Sequence, residues 1–230
     1  MKKQALKTLL LVMAMSLTAA NVSAQQNHQA VKKVIKKWSN CKNVAITSTK
    51  GDVALRGHHE YSAFDIPASL LDVLKKLHGQ KELIDDIKIT EDGRWCVIFG
   101  NNDAYYSDNI PEDLKQTIID YKNRGLALRS ITFNDRNEWM VVSDKYFTAS
   151  SITLSNWVND GLKKWGLLLA VDINDEMAVA VYEKGVRYRG EVPDSMRDAL
   201  LKNPFDVYRL KVAGEAWFIA NPSGECIYSL

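Results

Sequence analysis

The chain has 230 residues, with 30 Lys and Arg against 28 Asp and Glu, a formal charge of +2 and 46% hydrophobic residues. Lys2, Lys3 and Lys7 lie in an N-terminal leader; 30 less these three leaves 27 bases against 28 acids, a net charge of −1. That balance excludes a phosphate-neutralising nucleic-acid binder, and three cysteines exclude a disulfide scaffold.

Residues 1–24 read as a cleaved secretory signal: a lysine-rich start, an apolar run from Leu9 through Met15 to Ala20, and small residues at Val22-Ser23-Ala24. The apolar run is shorter than the ~20 residues of a membrane span. The expected product is therefore exported, periplasmic or extracellular, and soluble, with no membrane span.

The remainder, 25–230, reads as one domain of five similar units. Asp86-Ile87-Lys88-Ile89-Thr90 and Ser130-Ile131-Thr132-Phe133-Asn134 are short alternating strands. Each leads through a polar turn to a tryptophan and an apolar run, Trp95–Phe99 or Trp139–Val142. A second turn, an aromatic strand and a helix start follow. The same order recurs from Val44, Val171 and Leu210. Helix starts at 67, 111, 153 and 193 give a repeat of about 40 residues.

In each unit the alternating first strand should be half-buried. The apolar second strand should be central, and the aromatic third strand an edge. Pro67, Pro111 and Pro193 mark helix starts. Amphipathic helices then put Leu70, Leu74 and Leu77 on one face, as they do Leu114, Ile118 and Tyr121, and Val158, Leu162 and Trp165.

The last unit lacks a following helix, while an extra helix, Gln29 to Asn40, precedes the first strand. Shifting the frame gives five helix-plus-three-strand units, 25–67, 68–111, 112–153, 154–193 and 194–230. The simplest geometry is an α/β ring whose two chain ends meet, since an open stack would need polar caps.

Two resemblances attach to these residues. The pattern of Ile-x-Ile or Ile-x-Phe, a Gly or Asn turn, Trp with an apolar run, Gly, Tyr and Ile-Pro-x-x-Leu, clearest in 84–153, resembles a repeat of exported or multidomain bacterial proteins with no attached activity. The five-unit ring is similar to the pentein fold, the α/β-propeller of arginine and agmatine deiminases and amidinotransferases. That resemblance implies a catalytic cysteine near the chain end, at Gly224-Glu225-Cys226, with a histidine and acidic partners around a central channel. The histidines here are His28, His58, His59 and His78, none in the middle or late units.

The residues favour a non-enzymatic binding protein. Tyr61, Tyr105, Tyr106, Tyr146, Phe147, Tyr188 and Tyr228 recur on the third strands, where exposed aromatics would suit a peptide, glycan or protein partner; alternatively they cover neighbouring units. A cysteine hydrolase or deiminase using Cys226, and a structural module of an exported assembly, are the alternatives. A meeting of the chain ends would let Cys41 and Cys226 form a disulfide. Trp95, Trp139 and Trp217, at equivalent positions, read as core. His58-His59-Glu60 reads as an exposed turn, and neither a metal site nor a cofactor is implied. No Gly-rich phosphate loop, His-Glu-x-x-His or Gly-x-Ser-x-Gly occurs.

Overall fold

The computed structural model describes residues 28–202 and 206–230. Residues 1–24, expected to be a leader, lie outside the described residues. No described helix is long and apolar enough to cross a membrane.

Residues 28–38 form helix α1. It is followed by β1 (Asn43–Ala45), β2 (Asp52–Arg56), β3 (Glu60–Phe64), then α2 (Ala68–Gln80), β4 (Ile84–Ile89), β5 (Trp95–Phe99), β6 (Asp103–Tyr106). The third unit is α3 (Glu112–Asn123), β7 (Leu128–Phe133), β8 (Trp139–Ser143), β9 (Phe147–Ala149). The fourth is α4 (Ile152–Trp165), β10 (Leu168–Ile173), β11 (Met177–Tyr182), β12 (Gly185–Gly190). The fifth is α5 (Asp194–Leu201), β13 (Arg209–Ala213), β14 (Ala216–Ala220), β15 (Cys226–Ser229). Five helix-plus-three-strand units therefore account for the described chain. Each sheet is an antiparallel meander with its apolar second strand in the middle, as the sequence predicts.

The helices start where a backbone already fixed by proline leaves N–H groups free. Pro67, Pro111 and Pro193 are the N-cap residues of α2, α3 and α5. The fourth helix starts two residues earlier than expected, because Ser151 caps it by accepting the Leu154 N–H on its side chain.

Every helix lies between two successive sheets. Leu70, Leu74 and Leu77 of α2 share a core with Val53 and Leu55 of the first sheet and Ile87 and Val97 of the second. Alternation along β5 sends Cys96 and Ile98 the other way, to Leu114, Ile118 and Tyr121 of α3 and the third sheet. The α4 face differs from expectation. Leu154, Val158 and Gly161 are buried, while Leu162 and Trp165 lie at the margin of that core. Gly161 is required because Tyr182 packs directly on the α4 backbone, its hydroxyl donating to Val158 O at 3.1 Å. A Cβ at 161 would fall inside the Tyr182 ring.

The first strands neighbour one another in the order β1, β4, β7, β10, β13, and β1 also lies against β13 and β14. The α1 residues Val31 and Ile35 share a core with Val44 and Ala54 of the first sheet and with Phe218 and Ala220 of the last. Trp38 and Tyr228 lean on the same core, whereas Trp217 faces the opposite side of its sheet, toward α5. Two hydrogen bonds join the termini of the described chain, Cys41 N–H to Gly224 O at 2.9 Å and Lys32 Nζ to Leu230 O at 3.1 Å.

Candidate functional site

The first strands depart from expectation in an informative way: they are buried on both faces. Most of the polar residues at their alternate positions do not meet solvent. They turn toward one another where the five strands converge. One layer holds Asn43, Asp86, Ser130 and Arg209; the next holds Lys88, Thr132, Asp172 and Lys211. Among these, Asp86, Asp172 and Thr132 are at most 1% exposed.

Every one of these groups finds a partner, as burial demands. Lys88 Nζ donates to Asp172 Oδ1 at 2.7 Å and to Ile173 O at 2.8 Å. Thr132 Oγ1 donates to the same carboxylate at 2.8 Å, and Val212 N–H to its other oxygen at 3.0 Å. Asp86 accepts from Lys211 Nζ at 2.7 Å, Asn43 Nδ2 at 2.6 Å and Ser130 Oγ at 3.0 Å. Arg209 donates to Asp85 Oδ2 at 2.7 Å. Burial raises the Asp86 carboxyl, but the Lys211 and Arg209 charges outweigh it and hold the group below the usual carboxylate range. Together these bonds link all five units, and the Lys88–Asp172 and Lys211–Asp86 pairs cross from the second unit to the fourth and fifth.

Both ends of this centre are shallow. One, lined by Thr90, Glu91, Asn134, Asp135, Asn174 and Asp175, encloses about 20 Å³. The other, lined by Arg129, Leu169, Tyr208, Arg209 and Lys211, encloses about 10 Å³. Each has room for roughly one water. The first end is acidic. Its turns interlock, Ser48 N–H donating to Glu91 Oε1 at 2.7 Å and Asp135 N–H to Asp175 Oδ1 at 3.1 Å. No group of three or more metal-ligating side chains occurs among the described residues.

Cys226 stands away from this centre, on the last strand, in the core that joins the first and fifth units. Burial pushes its thiol up to about 11, partly offset by the Cys41 backbone N–H. Cys41 is fully buried; burial and the nearby Cys226 push its thiol up to about 12. The structure brings these two cysteines together and leaves both as thiols. The Cys41 thiol points along its own unit, donating to Asn43 O at 3.2 Å.

The seven aromatics expected on the third strands are distributed, not gathered, and Tyr146 lies just before β9 and not on it. Tyr61 and Tyr105 lean on the core around α2, Tyr106 and Tyr146 on that around α3, Phe147 on that around α4, Tyr188 on that around α5 and Tyr228 on that around α1. Each is half-buried. Several meet a cation from the adjoining helix or its C-cap. Lys76 Nζ lies 4.6 Å from the centre of the Tyr105 ring, the Arg124 guanidinium 4.9 Å from that of Tyr146, and the Arg197 guanidinium 5.3 Å from that of Tyr188. Trp157, without a counterpart in sequence, faces Arg187 and Arg189 of β12. His58 and His59 form a turn, with the His59 and His78 rings 5.2 Å apart.

The polar centre is what sequence reasoning missed. The signal was present: charges at alternate positions of first strands otherwise apolar, Asp86 and Lys88, Asp172 and Lys211. Alternation alone reads as a solvated face, and only the convergence of five strands turns that face inward.

No family model matches the chain, and no curated protein matches it. Among solved structures it resembles one described as "YCF48 bound to D1 peptide", at 14% identity and a TM-score of 0.30, over 80% of this chain and 49% of that one. The chain thus spans about half the length of that structure, and a TM-score of 0.30 is too low to define a shared fold.

Proposed function

We propose that the protein is an exported, non-catalytic binding protein, built as a five-unit ring whose chain ends meet, that takes a peptide, glycan or protein partner on its outer strands. The supporting observation is the filled centre. In a pentein-like ring the chemistry belongs in the central channel, and here that space is occupied by the Lys88–Asp172 and Lys211–Asp86 pairs. A substrate would have to displace buried, mutually compensated charges, at a cost of several kcal/mol, roughly, per ion.

Nor does Cys226 have the surroundings of a nucleophile. A thiol held near 11 is protonated at neutral pH, and its one favourable contact is a backbone N–H. The outer strands β3, β6, β9, β12 and β15 each leave one edge unpaired. An unpaired edge is what strand addition by a peptide uses, and half-buried aromatics flanked by cations offer stacking faces with polar tips.

The test has two arms on the same protein. With arginine and agmatine, ammonia release should stay at the background rate. In a thermal-shift panel of peptides and oligosaccharides, a binder should raise the melting temperature, and Tyr105→Ala or Tyr188→Ala should abolish the rise. Turnover of a guanidine substrate, lost in Cys226→Ser, would instead establish the cysteine enzyme.

A further inference from the structure

The shallow end lined by Arg129 and Tyr208 is built by a recurring irregularity. In β4, β7 and β10 the register with the second strand shifts between Ile84 and Asp86, Leu128 and Ser130, and Leu168 and Ala170. The extra residue of a bulge re-aims its side chain. In these three units it is Asp85, Arg129 or Leu169. Lys42 and Tyr208 hold the equivalent place, one residue before the polar layer, in the first and fifth units. Two of these five are cations, and Arg209 and Lys211 lie just beneath them.

The cations are not equally employed. Arg209 is bound by Asp85 and Lys211 by Asp86. Arg129 forms no hydrogen bond or ion pair among the described residues. Its guanidinium is held 5.5 Å from the centre of the Tyr208 ring, which Arg209 also faces at 3.9 Å. Lys42 has one long contact, Nζ to His58 O at 3.5 Å. Arg129 thus carries an unpaired, half-buried charge on the lining of the cavity of about 10 Å³, whereas Lys42 is not among its lining residues and reaches toward the His58 turn.

A guanidinium positioned by a ring and carrying free N–H groups is suited to a carboxylate, which it takes through two parallel bonds. We propose that this end of the centre binds a single carboxylate group, with Arg129 as the bidentate donor and Tyr208 as the platform that orients it. The cavity is too small to enclose the group, so the carboxylate sits at its mouth against Arg129 with the rest of its bearer in solvent; a terminal or side-chain carboxylate fits there and a bulky polyanion does not. The proposal stands apart from the outer-strand reading, since it uses none of those residues.

The test is an NMR titration of the protein at low ionic strength with sodium acetate, acetamide and inorganic phosphate. Acetate should give saturable shifts centred on the Arg129 and Tyr208 amides, and acetamide none. Arg129→Gln should weaken acetate binding at least tenfold, with an unchanged thermal unfolding profile. Lys76→Met, at the distant outer edge, should leave it unchanged. Acetate shifts that survive Arg129→Gln, or that fail to saturate at these residues, would overturn the proposal. Tighter binding of phosphate than of acetate at the same residues would overturn the carboxylate assignment.

Discussion

Lys88 of the second unit reaches across the centre of the molecule to Asp172 of the fourth, Nζ to Oδ1 2.7 Å, with the two side chains 7% and 1% exposed. The pair joins units that are not neighbours in sequence, so it fixes how the strands converge as well as neutralising two buried charges. Lys88→Met leaves the buried Asp172 side chain with only Thr132 and the Val212 N–H as partners. The expected loss is about 3–5 kcal/mol in denaturant unfolding, the usual cost of stranding one member of a buried pair. Replacing both, as Lys88→Met with Asp172→Leu, should recover at least half of that loss. A double variant less stable than the single would show that Asp172 is held chiefly by its other partners.

Lys42 gives the stability a pH dependence. Burial lowers its ammonium from the usual lysine range to about 8, opposed by Asp85 and reinforced by Arg209. Between pH 8 and about 10.5 the unfolded chain binds this proton and the folded chain does not. Stability contributed by this site therefore rises with pH across that window and is flat below it. Lys42→Met should stabilise the protein at pH 7 by about 1 kcal/mol, allowing for solvent screening, and remove the rise. Melting temperatures at pH 7, 8, 9 and 10 for both proteins check this. A steeper rise in the variant would contradict it.

The tryptophans that read as core illustrate what repeats hide. Trp95 Nε1 donates to Ser69 Oγ at 3.1 Å and Trp217 Nε1 to Ser195 Oγ at 2.9 Å, each serine being the second residue of its unit's helix. The third unit has Asp113 at that place. Its carboxylate accepts the Leu114 N–H, and Trp139 Nε1 is buried without a partner. Asp113→Ser should restore the bond and stabilise the protein by about 1 kcal/mol, less a few tenths for the acid lost from the first turn of α3, roughly. Unfolding in denaturant measures it; a destabilised variant would show that Asp113 contributes more where it is.

Gly161 is the position where α4 and Tyr182 meet without an intervening side chain. Glycine to alanine inside a helix normally stabilises by about 1 kcal/mol. Here the added methyl overlaps the Tyr182 ring, and overpacking should reverse the sign, costing about 1–3 kcal/mol. The combination Gly161→Ala with Tyr182→Val should be more stable than Gly161→Ala alone if the overlap is the cause.

The five-unit plan was legible because each element announces itself locally: a proline before a helix, a tryptophan opening the apolar middle strand, aromatics on the outer one. The extra helix before the first strand, matched with a missing one at the end, was legible by counting. The polar centre was not, because nothing within one strand tells whether its charged face meets water or four other strands. Asp86 and Lys88 find their partners 125 and 84 positions away. The rim residues Asp85 and Arg129 were hidden for a different reason. A strand of strict period two would send them away from Asp86 and Ser130, and only the bulge brings neighbours to the same side. The role of the third-strand aromatics was legible in kind but not in place, since each of the seven serves whichever of five separate cores its strand borders.

The first and last units meet where the Cys41 N–H donates to Gly224 O. Residue-resolved hydrogen exchange of the Cys41 amide tests it directly. A joined ring should give protection approaching that of global unfolding, comparable with the central-strand amide of Val97. Exchange at the rate of an unprotected amide would contradict it and leave the two ends of the chain unjoined.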